Sequence, residues 1–176
     1  FSKLLNQKAI HKPSAQHVLD DEYYRRIEAI QFTMYHDDGK KLEDIAKADI
    51  VLLGVSRTNK TPTSIYLANR GYKTINIPLV LDQKIPDDLK SHNNKTCVIG
   101  LVADPERLSE IRRNRVAIMK DNNIKEYTDL NHIKDEVNKS KKLFNKYKWP
   151  TIDVTRRSVE EIAASILKIF EIKRNK

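Results

Sequence analysis

The chain has 176 residues and a hydrophobic fraction of 39%, enough for one packed domain with its own core. Its one cysteine, Cys97, excludes an internal disulfide framework, and no apolar run reaches the length of a membrane-spanning helix. The formal net charge of +9 is scattered and lacks interleaved aromatics or Arg-Gly repeats, so it suits a protein handling phosphates or an acidic partner better than one holding nucleic acid.

Residues 1–19 are polar and without a clear period. The chain opens on Phe1 with no signal peptide, so an upstream segment is expected to be removed or not shown, and the protein is expected in the cytoplasm. Asp20 or Asp21 caps a predicted helix to about Tyr35, with Tyr23, Ile27, Ile30 and Met34 at helical spacing. The run His36-Asp37-Asp38-Gly39 ends it. Asp49 to Leu53 reads as a strand buried on both faces. A turn follows, then a helix from Pro62, placed at the first helical position, to Arg70, with Gly71 as its stop.

Tyr72–Ile77 and Thr96–Val102 read as strands, the second containing Cys97 as a buried, inert thiol. The polar segment 82–95 reads as a surface loop. Asp104-Pro105 opens a helix on which Leu108, Ile111, Val116 and Met119 form an approximate apolar stripe. Thr128 begins a helix to about Tyr147, whose lysines from Lys139 to Lys148 face solvent. Thr151–Val154 is a last strand, and Ser158-Val159-Glu160-Glu161 is a capping box for the final helix. Short apolar strands alternating with helices predict an α/β domain with a mostly parallel sheet covered on both sides.

The most informative segment is Gly54-Val55-Ser56-Arg57-Thr58-Asn59-Lys60-Thr61, between a buried strand and a helix. That is the context of a P-loop, G-x-x-x-x-G-K-[ST], with Asn59 in place of the second glycine. Asparagine tolerates a left-handed backbone, so the turn can still close. Backbone N–H groups from Val55 to Thr61 are expected to cradle phosphate oxygens at a helix N-terminus. Lys60 supplies a point charge between terminal phosphates, and Thr61 offers its hydroxyl to Mg²⁺. Arg57 could contact a phosphate or stabilise developing charge.

Such a site also needs a carboxylate for the metal and a base near the nucleophile. Asp104 resembles a Walker B aspartate but reads better as a helix cap. Asp153, in the last strand, could hold a metal or a structural ion pair. His36-Asp37-Asp38 could accept a proton, although the bare sequence reads it as a polar helix-ending turn. Arg107, Arg112, Arg113 and Arg115 could form a lid over phosphates, against a solvated helix face for at least half of them. His11 and His17 have no metal-site spacing.

Five runs together carry a family resemblance: Leu53 to Lys73, Tyr24 to Ile30, His36 to Gly39, Asp104 to Leu108 with Ile111-Arg112, and Trp149-Pro150 with Ile152 to Thr155. In order and spacing they resemble the regulatory proteins of pyruvate, phosphate dikinase and phosphoenolpyruvate synthase, over nearly the whole chain. The resemblance implies a P-loop kinase-like fold and a bifunctional enzyme. It implies ADP as phosphoryl donor to a threonine of the dikinase, or of the synthase, and inorganic phosphate as acceptor in the reverse task, releasing pyrophosphate. It implies that residues 1–176 are a single C-terminal catalytic domain, with 1–19 a lead-in from a further N-terminal domain. The nucleotide loop carries over to Gly54 through Thr61, where relatives more often have serine or glycine at the place of Asn59. The resemblance also draws His36, Asp37 and Asp38 toward the active site. A homo-oligomer stays open. Two other readings remain: a shikimate-kinase-like small-molecule kinase, and a non-enzymatic module holding nucleic acid on its basic face.

Overall fold

The computed structural model describes residues 21–40, 42–80, 87–90, 96–119 and 125–175. His11 and His17 lie outside them. Four strands, β1 (Ile50–Gly54), β2 (Thr74–Pro78), β3 (Cys97–Val102) and β4 (Thr151–Asp153), form one sheet in the order β2-β1-β3-β4. All pairs are parallel, as the buried, β-branched runs required.

The helices are α1 (Asp21–Tyr35), α2 (Lys60–Ala68), α3 (Asp87–Lys90), α4 (Pro105–Met119), α5 (Lys125–Thr128), α6 (Leu130–Lys146) and α7 (Val159–Arg174), with 3₁₀ turns at Asp37–Gly39 and Leu42–Lys47. The strands alternate their side chains between two layers. Ile50, Leu52, Ile99 and Leu101 pack with Leu67 of α2 and with Ile162, Ala163 and Ile166 of α7. Val51, Leu53, Ile75, Ile77 and Val102 pack with Ile45, Ala48 and Phe144. Gly100 lets α6 sit close: a Cβ there would lie 2.5 Å from the Phe144 ring.

Several local expectations shift. Helix α2 begins at Lys60, so Pro62 is its third residue, where the missing N–H still costs no intrahelical bond. Asp129, not Thr128, caps α6 by accepting the His132 N–H at 2.9 Å, and α5 precedes it as a separate turn. The expected loop 82–95 contains the short α3. Helix α1 buries Ala29 and Thr33, whereas Tyr23, Ile27 and Met34 face outward. The 3.6-residue period located that helix, but its large residues are not the ones buried against the sheet. The capping box of α7 has both arms, Glu161 N–H to Ser158 Oγ and Ser158 N–H to Glu161. Asp104 is a helix cap, taking the N–H groups of Glu106 and Arg107 at 3.0 Å.

Candidate active site

β1 has β2 on one side and β3 on the other, so successive connections diverge at its carboxyl end and open a crevice there. Gly54 stands at that end. A Cβ on it would lie 2.6 Å from Thr58 Oγ1 and 2.8 Å from the Leu101 carbonyl, so only glycine permits the loop to fold back this tightly. Arg57 (φ 72°) and Asn59 (φ 57°) take left-handed conformations, and Asn59 leads directly into α2. Asparagine is among the residues that bear this backbone most readily; arginine is not. The buried Thr58 donates its hydroxyl to the Val55 carbonyl at 2.9 Å, which pins the turn from inside.

Lys60 is 6% exposed and donates its Nζ to the same Val55 carbonyl at 2.8 Å. Burial pushes its ammonium down to about 8; Asp38 and Asp37 oppose that shift, and Arg112 and Arg57 reinforce it. The first turn of α2 carries no acidic residue, so nothing on the helix offsets the positive end of its dipole. A buried amine, a helix start and the nearby Arg57 guanidinium make this end of β1 receptive to an anion.

The acidic turn after α1 comes to the same place. Asp37 accepts the Thr61 hydroxyl at 3.2 Å and also the side-chain N–H of Asn76 in β2. The Asn76 amide reaches Thr61 Oγ1 at 3.2 Å, and its oxygen takes the Asp38 backbone N–H at 3.0 Å. Asp38, at φ 55°, is exposed and its carboxylate makes no hydrogen bond among the described residues. Lys60, Thr61, Asp37 and Asp38, far apart in the sequence, therefore form one cluster. His36 is buried with both ring nitrogens engaged, Nδ1 2.6 Å from the Phe32 carbonyl and Nε2 3.2 Å from Asp44. It secures the root of the acidic turn and has no ring nitrogen left for a reacting hydroxyl.

The other predicted groups take different places. Asp153 is exposed and accepts both the backbone N–H and the hydroxyl of Thr155, the first at 2.9 Å, and these bonds hold its carboxyl below the usual range. No hydrogen bond or ion pair joins it to Thr61 among the described residues. Arg112 is fully buried. Its guanidinium donates to the carbonyls of Ser56 and Tyr127 at 3.2 Å, pairs with Glu136 at 2.7 Å and stacks over the Tyr127 ring at 4.7 Å. It braces the loop from behind and takes no part in a lid, while Arg107 pairs with Glu110 in solvent at 2.6 Å.

Asn76, Tyr127 and Glu136 were missed in the sequence. Asn76 did leave a signal: a carboxamide inside the apolar run Ile75-Asn76-Ile77 is costly unless fully bonded. Among the described residues no group of three or more His, Cys, Asp or Glu could hold a metal, and no helix is long and apolar enough to cross a membrane.

The kinase/pyrophosphorylase family model matches residues 1–167. A Pelagibacter ubique protein named pyruvate, phosphate dikinase regulatory protein is 65% identical over 99% of this chain, and the chain covers 64% of that protein. Relatives of the same name from a Chelativorans species and from Rhizorhabdus wittichii are 50% and 49% identical over 96% of the chain. The chain spans 62% and 61% of their lengths.

Proposed function

Since the chain belongs to the kinase/pyrophosphorylase family, we propose that it is the catalytic domain of a bifunctional regulator of pyruvate, phosphate dikinase. In this reading it phosphorylates a threonine of the dikinase from ADP and removes that phosphate with inorganic phosphate. The names of the relatives favour the dikinase over phosphoenolpyruvate synthase as target. One observation carries the reading: the buried Lys60 of the anion-receptive turn interacts electrostatically with Asp38, whose carboxylate makes no hydrogen bond among the described residues.

The Gly54–Thr61 turn acts as a P-loop, its amides and Lys60 holding the terminal phosphate of ADP. The substrate hydroxyl attacks the β-phosphorus, the bond from that phosphorus to the bridging oxygen breaks, AMP leaves, and Asp38 takes the hydroxyl proton. Asp37 is already committed to Thr61 and Asn76, which is why Asp38 is the better base. In the other direction an oxygen of inorganic phosphate attacks the phosphothreonine phosphorus. The threonine oxygen leaves and is protonated, and pyrophosphate departs. One cradle serves both, because each reaction places a phosphoryl group between Lys60 and the acceptor oxygen.

The Thr61 hydroxyl and Asp37 Oδ1, 3.2 Å apart, are hard oxygen donors of the kind Mg²⁺ prefers. Those two residues would hold the ion, which neutralises charge on the transferred phosphoryl group. Incubating the chain with dikinase, ADP and Mg²⁺, with mass spectrometry of the dikinase, tests the reading. Threonine phosphorylation from ADP, reversed on adding phosphate with release of pyrophosphate, is expected. Phosphorylation from ATP alone, or none, contradicts it.

A further inference from the structure

We propose that the cleft between Arg57 and the outward face of α4 receives the polypeptide substrate, as an extended segment carrying an anionic group beside an apolar side chain. The inference rests on the reading above that a protein hydroxyl is the acceptor. The cleft holds about 540 Å³ and is lined by Arg57, Ile111, Asn114, Arg115 and Ile118. The α4 residues fall on one side of the helix at three- and four-residue spacing. Every lining residue except Ile111 is exposed, and Ile118 is 82% exposed.

Arg57 belongs both to this cleft and to the loop that surrounds Lys60. Its left-handed backbone costs an arginine on the order of 1 kcal/mol, and outliers of this kind gather where a side chain must be held in one place. Neither Arg57 nor Arg115 makes an ion pair or hydrogen bond among the described residues, and the nearby Glu110 is taken by Arg107. Two guanidiniums unpaired among the described residues, beside the half-buried Ile111 and the exposed Ile118, suit an anion next to a hydrophobic group.

The two walls are also fixed to each other. Arg112, on the inward side of α4, bonds the Ser56 carbonyl, so the helix cannot slide away from the loop. A hydroxyl acceptor must come within about 3–3.5 Å of the phosphorus, and each extended residue spans about 3.3 Å, so residues flanking the acceptor must lie on the surface that borders the loop. The cleft is that surface on the α4 side. Its lining is mostly exposed side chains, so a chain segment can reach it from solvent.

The test uses Arg115→Glu and Ile118→Asp, two exposed positions that leave the core and loop untouched. The readouts are the KM for the dikinase and the Kd for ADP. Each variant is expected to raise the KM for the dikinase at least about tenfold while the ADP Kd stays within about twofold of wild type. An unchanged KM overturns the proposal. So does an ADP Kd weakened as much as the KM, which would assign the cleft to the nucleoside. If wild type transfers no phosphate to the dikinase, the functional reading itself fails and the cleft assignment falls with it.

Discussion

Thr61, at the start of α2, donates its hydroxyl to Asp37 in the turn after α1, across 3.2 Å. That one bond joins the helix behind the loop to the acidic turn, and Asn76 of β2 fastens it by bonding both partners. The candidate site is therefore a three-way junction of the turn after α1, β2 and the start of α2.

Asn76→Ala removes two donors and one acceptor from this junction without touching any reacting group. Loss of such orienting bonds typically costs about 10–100-fold. We expect kcat to fall by that factor in both directions, with KM for ADP changed much less. Unchanged kcat with a lowered melting temperature would reduce Asn76 to a structural role.

Lys60 bears a stability cost that depends on pH. Its folded-state value of about 8 lies below the ordinary 10.5, so between those values the unfolded chain binds a proton that the folded chain does not. Below pH 8 the penalty is fully present, at most about 3 kcal/mol; it fades as pH rises toward 10.5. Lys60→Met should therefore be more stable than wild type at pH 7, and the difference should shrink by pH 10. Urea denaturation of both proteins at the two pH values measures it, and a difference independent of pH would contradict the assigned cause.

Gly54→Ala forces a methyl group against Thr58 Oγ1 and the Leu101 backbone oxygen, neither of which can retreat without opening the turn. A stability loss of about 1–3 kcal/mol is expected together with loss of nucleotide binding. Gly100→Ala collides with Phe144 on the other side of the sheet and should cost stability with less effect on ADP affinity. Calorimetry and ADP titration of both variants separate the two outcomes.

How much of this was legible in the sequence follows from where the information lies. Strand, turn and helix around Gly54–Thr61 are adjacent in the chain, so periodicity and a short motif located them. The left-handed Asn59 was readable for the same reason, since backbone tolerance is a property of the residue itself. Which carboxylate stands apart from its neighbours was not readable, because it depends on Asn76 reaching Asp37 from a strand far along the chain. Nor was Arg112 readable as a buried brace. In α4 it sits among other arginines of identical chemistry, and only tertiary packing with Tyr127 and Glu136 distinguishes it.

That distinction is measurable. Removing a charge from a buried pair costs about 3–5 kcal/mol, whereas an exposed pair is worth about 0–1. Arg112→Ala should lower the melting temperature sharply, and Arg107→Ala should barely move it. Equal effects would mean that Arg112 is not the brace of the loop.

The most direct measurement of the central claim is the pair of rates for Lys60→Ala, phosphorylation of the dikinase from ADP and phosphate-dependent removal of that phosphate. With one cradle serving both reactions, both rates should fall to background together. If dephosphorylation continued at the wild-type rate while phosphorylation was lost, the two reactions would not share this site.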